Sequence, residues 1–191
     1  MAIIEGRTQR NHRLYDAAPG TAGATTVQTT QGPARFAWAA ARIALGWVFL
    51  WAFLDKMFGF GFATPAAKAW INGGSPTTGF LKGTADNTLG GLFNALAGQA
   101  WVDWLFMTGL AGIGTALILG IGMRIAATTG TLLLLMMWAA ALPLTTNPFM
   151  DDHIVYAIVL IGLALANAGN TLGLGTIWTN TTLVRRLPIL K

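Results

Sequence analysis

The sequence predicts an all-α integral membrane fold: a four-helix bundle with a partly helical outer loop between helices 1 and 2. Three observations point there. Of 191 residues, 54% are apolar and 10% charged, with a mean hydropathy of +0.56, a balance outside the range of water-soluble globules. A bilayer core about 30 Å thick needs roughly 20 apolar residues in helix, and four segments reach that length. Lys and Arg accumulate in the segments that this threading places on one side, as the retention of positive charge in the cytoplasm requires.

Taken in order, residues 1–34 lack the apolar core and small-residue cleavage site of a secretory signal and read as a flexible cytoplasmic tail, with nothing in it expected to be cleaved. Within it, Ile4-Glu5-Gly6-Arg7 resembles a protease-site linker. A membrane domain is expected over 35–178, with spans at about 36–57, 102–122, 125–146 and 152–169, then a cytoplasmic C-terminal tail over 179–191. The short turn Gly120-Ile121-Gly122-Met123-Arg124 makes spans two and three an antiparallel hairpin. Asn147-Pro148 is expected to end span three, because the residue before proline avoids the helical region. Asp151 or Asp152 then caps span four. Gly109, Gly112, Gly114, Ala116 and Gly120 on span two, with Gly162 and Ala166 on span four, are expected to bring helices close.

The outer loop, about Gly59 to Ala100, has its own helix punctuation. Thr64-Pro65 starts a short helix that Asn72-Gly73-Gly74 stops, and Ser75-Pro76 opens another toward Lys82. Leu89, Leu92, Phe93 and Leu96 recur at helical spacing, as in a helix lying along the membrane surface.

Orientation follows from charge. Arg7, Arg10, Arg13 and Arg35 precede span one, Arg124 lies in the hairpin turn, and Arg185, Arg186 and Lys191 follow span four. All fall on one face, so both termini are expected in the cytoplasm of a multi-pass plasma-membrane protein. The other face receives Lys56, Lys68 and Lys82 together with Asp55, Asp86, Asp103, Asp151 and Asp152, five of the chain's seven acids.

Several classes of function are excluded. The chain has no cysteine, so it has no disulfide, thiolate metal site or membrane dithiol relay. His12 lies in the tail and His153 stands alone, so neither a metal site nor paired histidine ligation of haem is expected. The net charge of +5 is scattered around apolar runs without a basic face, so no nucleic acid is expected.

Ionisable groups at membrane depth are costly and are therefore functional candidates. The catalytic candidates are His153, Asp152 and Asp55, with His153 and Asp152 as a proton relay at a quinone oxygen. The plainer alternatives are a solvated interfacial histidine and acidic capping of span four, worth about 0.3 to 1 kcal/mol per charge. Lys56 is expected to attract a small anion, with Lys68 and Lys82 beside it; alternatively, Asp55 and Lys56 are a surface ion pair. Arg42 either snorkels to cytoplasmic phosphates or makes a buried pairing. Tyr156 shares a helical face with Asp152, and Asn167 is expected to return to it. The tryptophans mostly mark interfaces; Trp51 is carried as a candidate for a flat ring's pocket, although spacing alone does not select it.

Several of these segments resemble a known family. Arg42-Ile43-Ala44-Leu45-Gly46, Phe53-Leu54-Asp55-Lys56, Trp70-Ile71-Asn72-Gly73-Gly74-Ser75-Pro76, Gly79-Phe80-Leu81-Lys82-Gly83 and Asn147-Pro148-Phe149-Met150-Asp151-Asp152-His153 are similar to motifs of the DoxX-like membrane proteins. Among these, the chain most resembles the DoxD-type membrane subunit of thiosulfate:quinone oxidoreductase. The resemblance covers roughly residues 36 to 178. It implies a four-helix membrane fold that oxidises thiosulfate to tetrathionate outside the cell, with membrane quinone as co-substrate and a second, soluble-domain subunit as partner. Homo-oligomers are a further possibility. The alternative is a non-catalytic membrane scaffold that recruits an oxidoreductase or stress-defence complex. A small-solute transporter is a weaker third reading, because no internal repeat relates the helical pairs.

Overall fold

The computed structural model describes residues 32–190, and all regular structure among them is helical. The expected tail lies outside the described residues up to position 31, as does Lys191. Four long apolar helices are present: α1 Ala34–Phe58, α4 Ala100–Leu119, α5 Met123–Ala141 and α6 Asp152–Leu165. Between α1 and α4, the loop carries 3-10 turns at Ala66–Lys68 and Trp70–Asn72, then the short helices α2 Thr78–Lys82 and α3 Gly90–Asn94. After α6 come a 3-10 turn at Ala168–Asn170, α7 Gly175–Thr179, α8 Thr182–Arg186 and a last turn at Pro188–Leu190.

Three of the helices, α1, α4 and α5, are long and apolar enough to cross a membrane. The fourth, α6, is equally apolar but has 14 residues, a rise of about 21 Å at 1.5 Å per residue. It is shorter than the span expected at 152–169 because the chain turns out of the helix at Ala166 and Asn167 takes a left-handed conformation with φ 49°. Asn167 therefore does not continue the polar stripe of Asp152 and Tyr156. Span three also ends early, at Ala141. Leu142 is extended ahead of Pro143, so this proline stops the helix before Asn147-Pro148 is reached. Asp151 caps α6 by accepting from the Ile154 amide at 3.2 Å.

The helices pack as two close pairs, α1 with α4 and α5 with α6, while α4 and α5 meet less extensively despite the short turn that joins them. Leu45 and Phe49 of α1, Leu110 and Leu117 of α4, Ala127 and Leu134 of α5, and Leu160 and Leu163 of α6 share one buried core. Close approach explains the α1–α4 seam. A Cβ on Gly114 would lie 2.7 Å from the Leu50 amide nitrogen, and one on Gly46 would lie 2.9 Å from Leu117 Cβ. Gly109 and Gly112 do not join this seam, since a Cβ on either would meet nothing within 4 Å. The single small-residue face expected on span two is thus divided.

The segment after α6, where the sequence predicts the last of span four and then the tail, folds back against α1 and the end of α4. Leu174 donates its amide to Leu119 O at 2.8 Å, and Val184 is fully buried.

Candidate functional site

The start of α4 and the end of α5 are held apart by the loop between α1 and α4. Leu81 of α2 and Phe93 of α3 are buried against Ala140 of α5, with Val102 of α4 packed on the same cluster. Backbone groups fasten this wedge to α5, for Asn87 Nδ2 donates to Ala140 O at 2.7 Å and the Thr88 amide donates to Leu142 O at 2.9 Å. At the inner end, Gly120, with φ 73°, and Gly122, with φ 57°, turn the chain directly from one helix into the other. Two helices joined at one end and wedged at the other leave a gap between them.

That gap is an apolar groove of about 1000 Å³. Its walls are Leu105, Phe106, Gly109, Gly112 and Ile113 of α4 and Ile125, Leu132, Leu133, Met136 and Met137 of α5. Trp178 closes in at the inner end, its indole donating to Leu190 O at 2.6 Å. The mouth beside the end of α1 carries Lys56, Lys68, Thr64, Ser75 and Thr77, and Thr108 and Thr129 add hydroxyls along the walls. Both ion pairs among the described residues belong to His153, so the two lysines reach the mouth without a carboxylate in contact.

The mouth is set by buried carboxylates. Asp55, 2% exposed, accepts from the amides of Phe62, Ala63 and Thr64 at 3.3, 2.9 and 2.8 Å. It thereby folds the chain leaving α1 back over the helix end, and Gly59 makes the reversal in a left-handed conformation. Asp103 does the same for the far half of the loop, accepting from Ser75 and Thr77.

The sequence candidates are not brought together in one place. Of the three lysines, Lys56 and Lys68 line the groove, whereas Lys82 is exposed at the end of α2 and lies outside it; no other candidate lines it. The Asp55 carboxylate is engaged by loop amides rather than by His153. His153 is held by its own helix start, with Nδ1 2.7 Å from Asp151 Oδ2 and 3.4 Å from Asp152 Oδ1. Tyr156 packs half-buried on the core. Trp51 belongs to an aromatic cluster at the outer end of α1, stacked on Phe60 at 5.7 Å and edge-on to Phe62 at 5.2 Å.

No family model, curated protein or solved structure matches the chain.

Arg42 shows the most complete internal commitment. It is fully buried, and its guanidinium donates to Leu117 O, to Ile118 O at 2.9 Å, to Thr171 O at 3.2 Å and to Leu172 O at 2.8 Å. It thus neutralises the carbonyl end of α4 and binds the returning segment to it, which is a structural use. Its Nε has no hydrogen-bond partner among the described residues. Sequence reasoning left Asp103 out of the site because its loop partners lie 26 and 28 positions away, beyond any local pattern.

Proposed function

We propose that the chain is the membrane subunit of a quinone-linked sulfur oxidoreductase that oxidises thiosulfate to tetrathionate and passes the electrons to membrane quinone. The observation that carries this reading is the α4–α5 groove: an apolar cleft of about 1000 Å³ with its two lysines at one mouth, while the wall hydroxyls of Thr108 and Thr129 donate to carbonyls of their own helices. That volume is at the upper end of ordinary small-molecule sites, where apolar walls bind the body of a ligand and a few polar groups orient its head. An isoprenoid quinone has this division, with an apolar tail and a ring bearing two carbonyl oxygens. The family resemblance in the loop and before α6 supplies the substrate.

On this reading α6 is a fourth crossing, the Arg-bearing ends face the cytoplasm, and the mouth opens on the outer side. Two thiosulfate dianions join through a new S–S bond and lose two electrons; quinone takes these with two protons. Lys56 and Lys68 offset the charge of the anions as they approach the ring. The chain has no cysteine, so the transfer requires direct contact of anion and ring, or a redox centre on a partner subunit.

The test is thiosulfate-dependent reduction of a soluble quinone analogue by protein purified in lipid, alone and with any co-purifying subunit. Activity that falls about 10-fold in Lys56→Ala, equivalent to ~1.4 kcal/mol of transition-state stabilisation, supports the assignment. Absence of reduction in both preparations contradicts it. A second reading, the membrane scaffold, is favoured by the structural engagement of Asp55 and Arg42. Stable recovery of a soluble partner on a chain that binds no quinone would select it.

A further inference from the structure

The groove's mouth is shaped by a carboxylate that does not line it. Asp103, in the first turn of α4, is 7% exposed. Its Oδ1 accepts from Ser75 Oγ at 2.9 Å, from the Thr77 amide at 3.1 Å and from Thr77 Oγ1 at 2.6 Å. Ser75 and Thr77 are both mouth residues. With its proton directed to Asp103, Ser75 Oγ accepts from the Thr78 hydroxyl at 2.6 Å and the Thr78 amide at 3.2 Å. Thr78 Oγ1 in turn accepts from the Gly98 amide at 3.0 Å. One oxygen of one carboxylate therefore orders the hydroxyls across the start of α2 and ties them to the turn that leads into α4. Burial keeps water from replacing these hydrogen bonds.

We infer that Asp103 is a positioning residue for the quinone groove: by gathering Ser75 and Thr77 it fixes the wall of the mouth opposite Lys56. This rests on the quinone reading of the groove, and it names a residue that reaches the ligand only through others. Asp103 acts by offering an acceptor at Oδ1, so Asn, which keeps that oxygen, preserves the mouth, whereas Ala releases Ser75 and Thr77 together.

The test uses the full chain in lipid nanodiscs and exploits its lack of cysteine. Phe80, which lines the groove, is replaced as Phe80→Cys, and maleimide labelling is timed with Asp103 intact, as Asp103→Asn and as Asp103→Ala. Binding of a soluble quinone analogue is measured on the same series without Phe80→Cys. We expect Asp103→Ala to change the labelling rate and to weaken binding about 10-fold, the loss that follows when a hydrogen bond to a buried charge is removed. Asp103→Asn should keep both values within about 2-fold of the parent, a change of ~0.4 kcal/mol. Equal effects of Asn and Ala, or labelling unchanged in Ala, overturn the positioning role. A parent that binds no quinone overturns the quinone reading instead, and the labelling series still decides whether Asp103 sets the mouth.

Discussion

The two seams of α4 behave in opposite ways. Against α1, the helix brings its backbone so close that Gly114 has no room for a Cβ; against α5, it leaves Gly109 and Gly112 facing open space. Both seams contain glycine and both are apolar. The difference arises outside the seams, in a loop whose Leu81 and Phe93 enter between α4 and α5 but not between α4 and α1. Small residues thus permit close packing of apolar helices without enforcing it, and a wedge opens the same composition into a cleft.

Substitutions that separate the two seams test this contrast. The largest loss of stability is expected for Arg42→Met, which removes four hydrogen bonds to main-chain carbonyls, two at the end of α4 and two on the segment that returns after α6. With each such bond from a charged donor worth ~1.5 to 3 kcal/mol, thermal unfolding in detergent should report a loss of about 3 kcal/mol or more. Next comes Gly114→Leu, whose Cβ meets the Leu50 backbone; overpacking of this kind costs about 1 to 3 kcal/mol. Gly112→Leu, on the open seam, should leave the unfolding temperature unchanged or slightly raised, because Leu is a better helix former than Gly by about 0.8 kcal/mol. The same variant should fill the groove and abolish quinone-analogue binding. A destabilised Gly112→Leu that still binds would show that the two seams are alike. The smallest effect is expected for His153→Ala, which disturbs the Asp151 cap from outside the groove and should cost about 0.5 kcal/mol with activity retained.

What the sequence conveyed and what it withheld follow from the range of each interaction. Hydrocarbon-length runs, the Asp151 cap and the short hairpin turn are local features, and each is visible in the order of residues. The end of α5 was equally visible at Pro143 but was read at Pro148, because the apolar run continues past the first proline. The small-residue stripe contained its own contradiction: Gly112 and Gly114 are two residues apart, about 200° around a helix, and do not share a face. Asp103 was legible only as a boundary acid, since its partners come from a loop folded back across 26 or more positions. The groove had no sequence signature, because it depends on where α2 and α3 come to rest. Lys56 was identified from its place at the end of span one, and it does reach the groove; His153 was selected by the same depth argument, yet its nearest charges lie on its own helix start.

We propose that the cleft between α4 and α5 receives a membrane quinone with its ring toward the mouth near Lys56. Photo-crosslinking of an azido-quinone to the chain in lipid nanodiscs, followed by peptide mapping, tests it most directly. Adducts on α4 and α5 that disappear in Gly112→Leu, with ring-proximal adducts on the loop near Lys56 and Thr77, are the predicted result. Adducts concentrated on α6 around His153, or an adduct pattern that Gly112→Leu leaves unchanged, would contradict it.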